Sequence, residues 1–182
     1  ESELKSYAEL SERWPKPLSP AEVGCFLSHR KCIEKAATGE REFAAIFEDD
    51  MEFSKGAAGI LSSYHWIPKD ADIIKIDTHG HEVLLSNPVF TDGRDAVSHM
   101  LSRHMLAGGY IISRRAAKKL FSKMDKASAP LDHFLFDPDD GPFHEFNIYQ
   151  LVPAICWQVG LESTIGGALR RQKEHLSLSS II

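Results

Sequence analysis

The sequence predicts an α/β fold, a mixed or mostly parallel sheet flanked by helices. Two observations carry that expectation. Short apolar runs with strand character recur along the chain, and between them lie segments with helical caps and helical apolar spacing. No internal repeat or low-complexity tract interrupts the pattern, so 19–182 reads as a single domain.

Residues 1–18 are polar and carry Trp14, Pro15 and Pro17, which reads as a surface segment or the remnant of something removed. Ser19-Pro20-Ala21-Glu22 then offers an N-cap, a proline at the first helical position and a glutamate placed for a capping box. The helix it opens should run to about Ala37, before Thr38-Gly39-Glu40. Phe43 to Phe47 is the next strand. A proline-marked loop, Tyr64 to Asp70, leads to a second strand, Asp72 to Asp77. Thr78 to Arg103 is rich in His, Gly, Asn and Asp, with one apolar stretch at Val83-Leu84-Leu85, and reads as a long excursion over one face. Leu106 to Ile112 is a third strand. Ser113 caps a helix to about Met124, on which Ala116, Ala117, Leu120 and Met124 keep helical spacing. Asp137 to Gly141 is a turn, and Ile148 to Cys156 a last strand interrupted by Pro153. The tail Leu176 to Ile182 is apolar at alternate positions and reads as an edge strand or frayed end.

Composition excludes several classes. The 182 residues hold 21 Lys plus Arg against 26 Asp plus Glu, a net charge of −5, with no basic stripe, so nucleic acid is not an expected partner. Cys25, Cys32 and Cys156 make an odd count without a CxxC pair, which argues for a reducing compartment, the cytoplasm by default. No run approaches the ~20 apolar residues of a membrane-spanning helix. The chain lacks an initiator Met, so its true N-terminus is expected to be missing.

The most informative junction is the end of the first strand, where Phe43-Ala44-Ala45-Ile46-Phe47 runs into Glu48-Asp49-Asp50. Two carboxylates about 4 Å apart repel by roughly 4 kcal/mol at an effective dielectric near 20, so such a cluster asks for a cation or a proton. All-oxygen ligands favour magnesium, manganese or calcium over zinc, and Mn2+ or Mg2+ is the expected ion. In extended chain Glu48 and Asp50 share a side and Asp49 faces away, which makes Asp50 the first metal ligand and Glu48 the second. A solvated acidic turn is the bland alternative. Against it stands the buried strand that precedes the acids, because ligands of α/β sheets gather at strand ends.

Other groups are weighed in the same way. Cys25, Ser28, His29 and Cys32 share one face of the first helix, yet nothing in the sequence completes a set of four zinc ligands, so small-residue packing is the preferred reading. Ser28 and His29 could hydrogen-bond a phosphate or sugar. His79 and His81 read as solvated loop residues. Gly108-Gly109 marks either close ligand approach or a bulge. Asp132 is a lone acid among apolar neighbours and is expected to be paired or functional.

These motifs together resemble glycosyltransferase family 25. The resemblance rests on Gly24-Cys25-Phe26-Leu27-Ser28-His29, Ile46-Phe47-Glu48-Asp49-Asp50, Gly109 to Ser113 with Ala116 to Leu120, Pro130-Leu131-Asp132, and Pro153-Ala154 with Gln158 and Ser163-Thr164-Ile165, in that order. It implies a GT-A-like fold that transfers a sugar, typically galactose from a UDP-sugar donor, to a saccharide acceptor of lipooligosaccharide, with inversion. It also implies that the acidic triplet serves as the family's DxD-like element. The family normally opens with a strand and loop that help hold the nucleotide base, and this chain starts after them, so the sheet is expected to lack that strand. On this reading Asp132 is the general base with Asp77 in reserve. Ser28, His29, Glu48, Asp49, Gly108, Gly109 and Gln158 contact donor or acceptor, and a lipid-linked acceptor would draw the protein to the inner membrane surface. A metal-dependent phosphohydrolase and a non-catalytic saccharide- or nucleotide-binding module are the alternatives from other classes.

Overall fold

The capping box at Ser19 forms as the sequence predicts. Ser19 Oγ accepts from the Glu22 N–H at 3.2 Å and Glu22 Oε2 accepts from the Ser19 N–H at 2.6 Å, opening helix α1, Pro20–Thr38. In the computed structural model, residues 6–91 and 94–159 are described, and the expected C-terminal edge strand lies outside them. The remaining elements are β1 (Phe43–Phe47), β2 (Met51–Phe53), α2 (Ala57–Leu61), β3 (Ile73–Lys75), β4 (Asp77–Thr78), β5 (Phe90–Thr91), β6 (Ala96–His99), β7 (Gly109–Ser113), α3 (Arg114–Phe121), α4 (Leu131–Phe136), β8 (Ile148–Val152) and β9 (Cys156–Gln158).

Among the described residues a six-stranded sheet takes the order β1-β7-β3-β8-β6-β5, with β3–β8 its only parallel pair. The sheet is therefore mixed, and the mostly parallel alternative is set aside. Side chains alternate between two cores, as the pleat requires. Ile73, Tyr110, Ile112 and Ile148 face α1, α3 and α4, where Phe26, Ile33, Leu120 and Phe136 are buried. Ile74, Ile111, Tyr149 and Leu151 face the other way, toward Ala57, Trp66 and Cys156. Both faces being covered, β3 and β7 are buried along their whole length rather than at alternate positions. Each fully buried Phe or Ile contributes roughly 1.5–3 kcal/mol of hydrophobic stabilisation.

The sequence treats Asp72–Asp77 and Ile148–Cys156 each as one strand, and both are divided in the structure. After β3 the chain leaves the large sheet, and after β8 it passes Pro153, which has no N–H to continue a ladder. The continuations, β4 and β9, join β2 in a three-stranded sheet of order β2-β9-β4. That small sheet positions the site. It sets Met51 opposite Gln158 and Asp77 opposite Cys156, and the Val159 N–H donates to the Asp50 carbonyl at 3.0 Å.

Residues 6–18 lie against the body rather than apart from it. The Glu9 N–H donates to the Ala127 carbonyl at 2.9 Å, Trp14 packs on the helical core, and Arg13 pairs with Asp137 at 3.0 Å.

Candidate functional site: an acidic strand end beside a buried ion pair

The C-terminal ends of β1 and β3 and the start of β7 meet at one place. Phe47 pairs with Gly109, the Glu48 N–H donates to the Gly108 carbonyl at 2.9 Å, and the Ile76 N–H donates to the Gly109 carbonyl at 3.1 Å. A β-carbon on Gly109 would sit 2.7 Å from Cys156 Sγ, and one on Gly108 would sit 2.6 Å from Met51 Sδ. Close packing of protein on protein thus accounts for both glycines. Where the sequence left ligand approach or a bulge open, the structure supplies this third reason.

Beyond β1, Glu48 and Asp50 turn to one side while Asp49 is exposed. Gln158 Nε2 donates to Asp50 Oδ2 at 2.8 Å and lies 3.3 Å from Glu48 Oε2, tying β9 to the acidic turn. Asp50 Oδ1 is buried without a hydrogen-bond partner. A buried carboxylate oxygen left unpaired is costly, and one amide cannot neutralise two carboxylates. The donor set, two carboxylates with a free lone pair among them, fits a hard divalent cation such as Mn2+ or Mg2+.

The other oxygen of Glu48 faces α1. Glu48 Oε1 lies 3.4 Å from His29 Nε2 and 3.8 Å from Cys25 Sγ, and His29 Nδ1 is 3.0 Å from the Tyr110 hydroxyl. Its hydrogen bond with His29 holds the Glu48 carboxyl below the usual glutamate range. Burial, with Glu48 adding to it, pushes the Cys25 thiol up to about 12.

On the far side of Gly108 and Gly109 sits a second constellation. Lys75, fully buried in β3, contacts Asp77 Oδ1, and its ammonium also donates to the Leu106 carbonyl at 2.7 Å. Burial raises the Asp77 carboxyl and lowers the Lys75 ammonium, each opposed by the partner's charge. The same Leu106 donates its N–H to Asp132 Oδ2 at 3.1 Å, so one residue joins the ion pair to Asp132. Leu106 holds a φ of 68°, a left-handed conformation that is strained for a branched side chain. Asp132 Oδ1 accepts from the His133 N–H at 3.0 Å, and the residue is half-buried. His79 is half-buried rather than solvated and stacks on buried His104, with ring centroids 4.7 Å apart, while His81 stays exposed.

The structure thus gathers Glu48, Asp50, Gln158 and His29 around one end of β1, with Asp77, Asp132 and the two glycines next to them. Ser28 is exposed on α1, and a β-carbon on Gly24 would meet nothing within 4 Å. Sequence reasoning passed over Cys25 as a partner of Glu48, along with Lys75, Leu106 and Tyr110. Lys75 carried a signal: a lysine inside the run Ile73-Ile74-Lys75-Ile76, two residues before an aspartate on the same side of a strand, has to be paired.

Comparison with known proteins adds to this geometry. The Glycosyltransferase family 25 (LPS biosynthesis protein) profile matches residues 2–135. The chain is 32% identical over 152 residues to lacto-N-neotetraose biosynthesis glycosyltransferase LgtB of Neisseria gonorrhoeae, covering 78% of this chain and 54% of that protein. Against lipooligosaccharide biosynthesis protein lex-1 of Haemophilus influenzae it is 29% identical, covering 78% and 50%. Against procollagen galactosyltransferase 1-A of Xenopus laevis it is 30% identical, covering 66% and 20%. The chain spans about half the length of the bacterial relatives it matches. With its acidic strand end, its ordered motifs and a match over most of its length, the chain belongs to glycosyltransferase family 25.

Proposed function

We propose that this chain carries the catalytic core of a GT-A-like, metal-dependent, inverting glycosyltransferase of lipooligosaccharide assembly, moving galactose from a UDP-sugar to a saccharide hydroxyl. Family membership supports the reaction class, and the names of the relatives support the sugar and the acceptor. The observation that carries the reading is the orphaned Asp50 oxygen beside Glu48 at the end of a core strand.

Asp50 and Glu48 would hold Mn2+ or Mg2+. Such an ion offsets the negative charge that develops on a departing diphosphate. Gln158 orients both carboxylates from one side. Glu48 remains ionised at neutral pH because the His29 contact favours its charged form.

In a single displacement the acceptor hydroxyl oxygen bonds to the anomeric carbon as the bond to the diphosphate oxygen breaks, and the hydroxyl proton needs a base. Asp132 is assigned that role, because its carboxylate is half-exposed and oriented by the Leu106 N–H. Asp77 is the poorer candidate, being buried and committed to Lys75. Ser28 and Asp49, both exposed, would contact donor or acceptor, while the Gly108-Gly109 backbone, packed against Met51 and Cys156, is the weaker candidate. No helix among the described residues is long and apolar enough to cross a membrane. A lipid-linked acceptor would draw the protein to the membrane surface.

The test is turnover of UDP-galactose by the full-length protein with and without manganese, for wild type and Asp132→Asn. Loss of a general base is expected to lower kcat by about 10²–10⁴. Undiminished turnover in Asp132→Asn would remove the base from this scheme, and release of phosphate from simple esters would favour the hydrolase instead.

A further inference from the structure

We propose that Cys25, His29 and Glu48 form a binding site for a thiophilic divalent metal ion of the zinc class, a property that goes beyond the transferase reading and does not depend on it. One potential ligand atom from each of the three residues lies within 4.8 Å of the others. A tetrahedral zinc with bonds of about 2.0–2.3 Å spans ligand separations of about 3.3–3.8 Å. Two of the three edges fall in that range, His29 Nε2 to Glu48 Oε1 at 3.4 Å and Cys25 Sγ to Glu48 Oε1 at 3.8 Å, and the third, between Cys25 and His29, is within 4.8 Å. Drawing the Cys25 and His29 ligand atoms together closes the triangle on an ion.

The supporting contacts are also in place. Cys25 and His29 stand four apart on α1, one above the other, and α1 is anchored by its capping box and by buried Phe26 and Ile33. His29 Nδ1 faces the buried Tyr110 hydroxyl, and the two rings are stacked 5.8 Å apart, which fixes the imidazole and leaves Nε2 for a ligand bond. Cys25 and Glu48 are only half-buried, so an ion can enter and a fourth ligand can come from solvent. Three protein ligands with an open position is the pattern of an accessible rather than a structural zinc site. Binding replaces the thiol proton, which leaves to solvent, with a sulfur–metal bond. A thiolate in the set selects zinc-like ions over magnesium, so the two faces of Glu48 present different chemistries: oxygen only toward Asp50, sulfur and nitrogen toward α1.

Cobalt(II) is the probe. Titration of the protein as it stands is expected to give a thiolate-to-cobalt charge-transfer band that saturates at one equivalent. Zinc should bleach it and excess magnesium should leave it unchanged. Cys25→Ser, checked for native circular dichroism, should lose the band, whereas Cys32→Ser, at an exposed position on the same helix, should keep it. Tyr110→Phe leaves every ligand in place and should weaken cobalt binding by about 10- to 100-fold. It keeps the inference testable if Cys25→Ser fails to fold. No band in the wild type, a band that survives in Cys25→Ser, or unaltered affinity in Tyr110→Phe would overturn the site. None of these results bears on manganese-dependent nucleotide binding, which is measured separately.

Discussion

Gly109 and Gly108 are adjacent and both buried, yet they should respond differently to an added methyl group. At Gly109 the new β-carbon meets the sulfur of fully buried Cys156 at 2.7 Å, a short side chain with little room to move. Gly109→Ala is expected to cost about 1–3 kcal/mol in urea denaturation, the usual range for overpacking. At Gly108 the clash is with the tip of half-buried Met51, a flexible thioether, and Gly108→Ala should cost less than Gly109→Ala. Equal losses would mean that Met51 is as fixed as Cys156. The residue scale is also where the sequence was least sufficient. Glu48, Asp50 and Asp132 stood out because an acid beside apolar neighbours is chemically conspicuous. Leu106 did not, since its part is played by a backbone angle and two main-chain groups that no side-chain pattern announces. Cys25 and His29 could be placed on one helix face from their spacing. Their partner Glu48 comes from a different element, so the set looked incomplete until the fold closed it.

Elements of five or more residues with caps or long apolar runs were readable. α1 and β1 fall where the capping box and the Phe43–Phe47 run put them, and α3 begins at its Ser113 cap, whose hydroxyl accepts from the Ala116 N–H at 3.1 Å. Three-residue β3 lay inside a readable apolar run, whereas β2, β4 and β9 were not readable as elements of their own, being too short to show a period and existing through their mutual pairing. The passage from β3 to β4 carries the Lys75–Asp77 pair, and removing one partner leaves the other charged and buried. Lys75→Met is expected to destabilise by about 3–5 kcal/mol, and Lys75→Met with Asp77→Leu should recover much of that loss. A double variant no more stable than the single one would show that the pair does more than neutralise itself. At the end of α4, Asp137 accepts from Arg13 at 3.0 Å, Arg103 at 3.4 Å and His133 at 3.1 Å, and so ties the leading segment to the body. Asp137→Asn should cost about 1–3 kcal/mol and increase proteolysis near Arg13. An unchanged cleavage pattern would mean that the Trp14 packing and the Glu9–Ala127 hydrogen bond suffice to hold that segment.

Across the whole molecule, pH separates two groups of titrating residues. Burial, with the Lys75 charge adding to it, lowers His104 to about 3, whereas an unfolded histidine titrates near ~6.5. Below about pH 6.5 the unfolded chain therefore takes up a proton that the folded chain refuses, and stability falls as pH drops toward 3. His104→Gln should flatten that slope by up to about 1.4 kcal/mol per pH unit between pH 6 and 4, measured by urea titration. An unaltered slope would place the proton uptake elsewhere. Glu48 and Asp137 act at lower pH. His29 holds Glu48 below the usual range. For Asp137, burial acts upward but is outweighed by the Asp139 N–H, His133 and the two arginines. Their contribution is complete above about pH 4 and is lost as pH falls through their depressed folded values.

The division of the chain between two sheets is what brings Gln158 to the acids of β1, and on that convergence the proposed activity depends. Its most direct test is calorimetric titration of UDP into the protein with manganese or with a chelator, for wild type and Asp50→Asn. UDP binding that requires manganese and weakens at least about tenfold in Asp50→Asn, some 1.4 kcal/mol, is the predicted result. Binding of equal strength in chelator, or an Asp50→Asn protein indistinguishable from wild type, would contradict it.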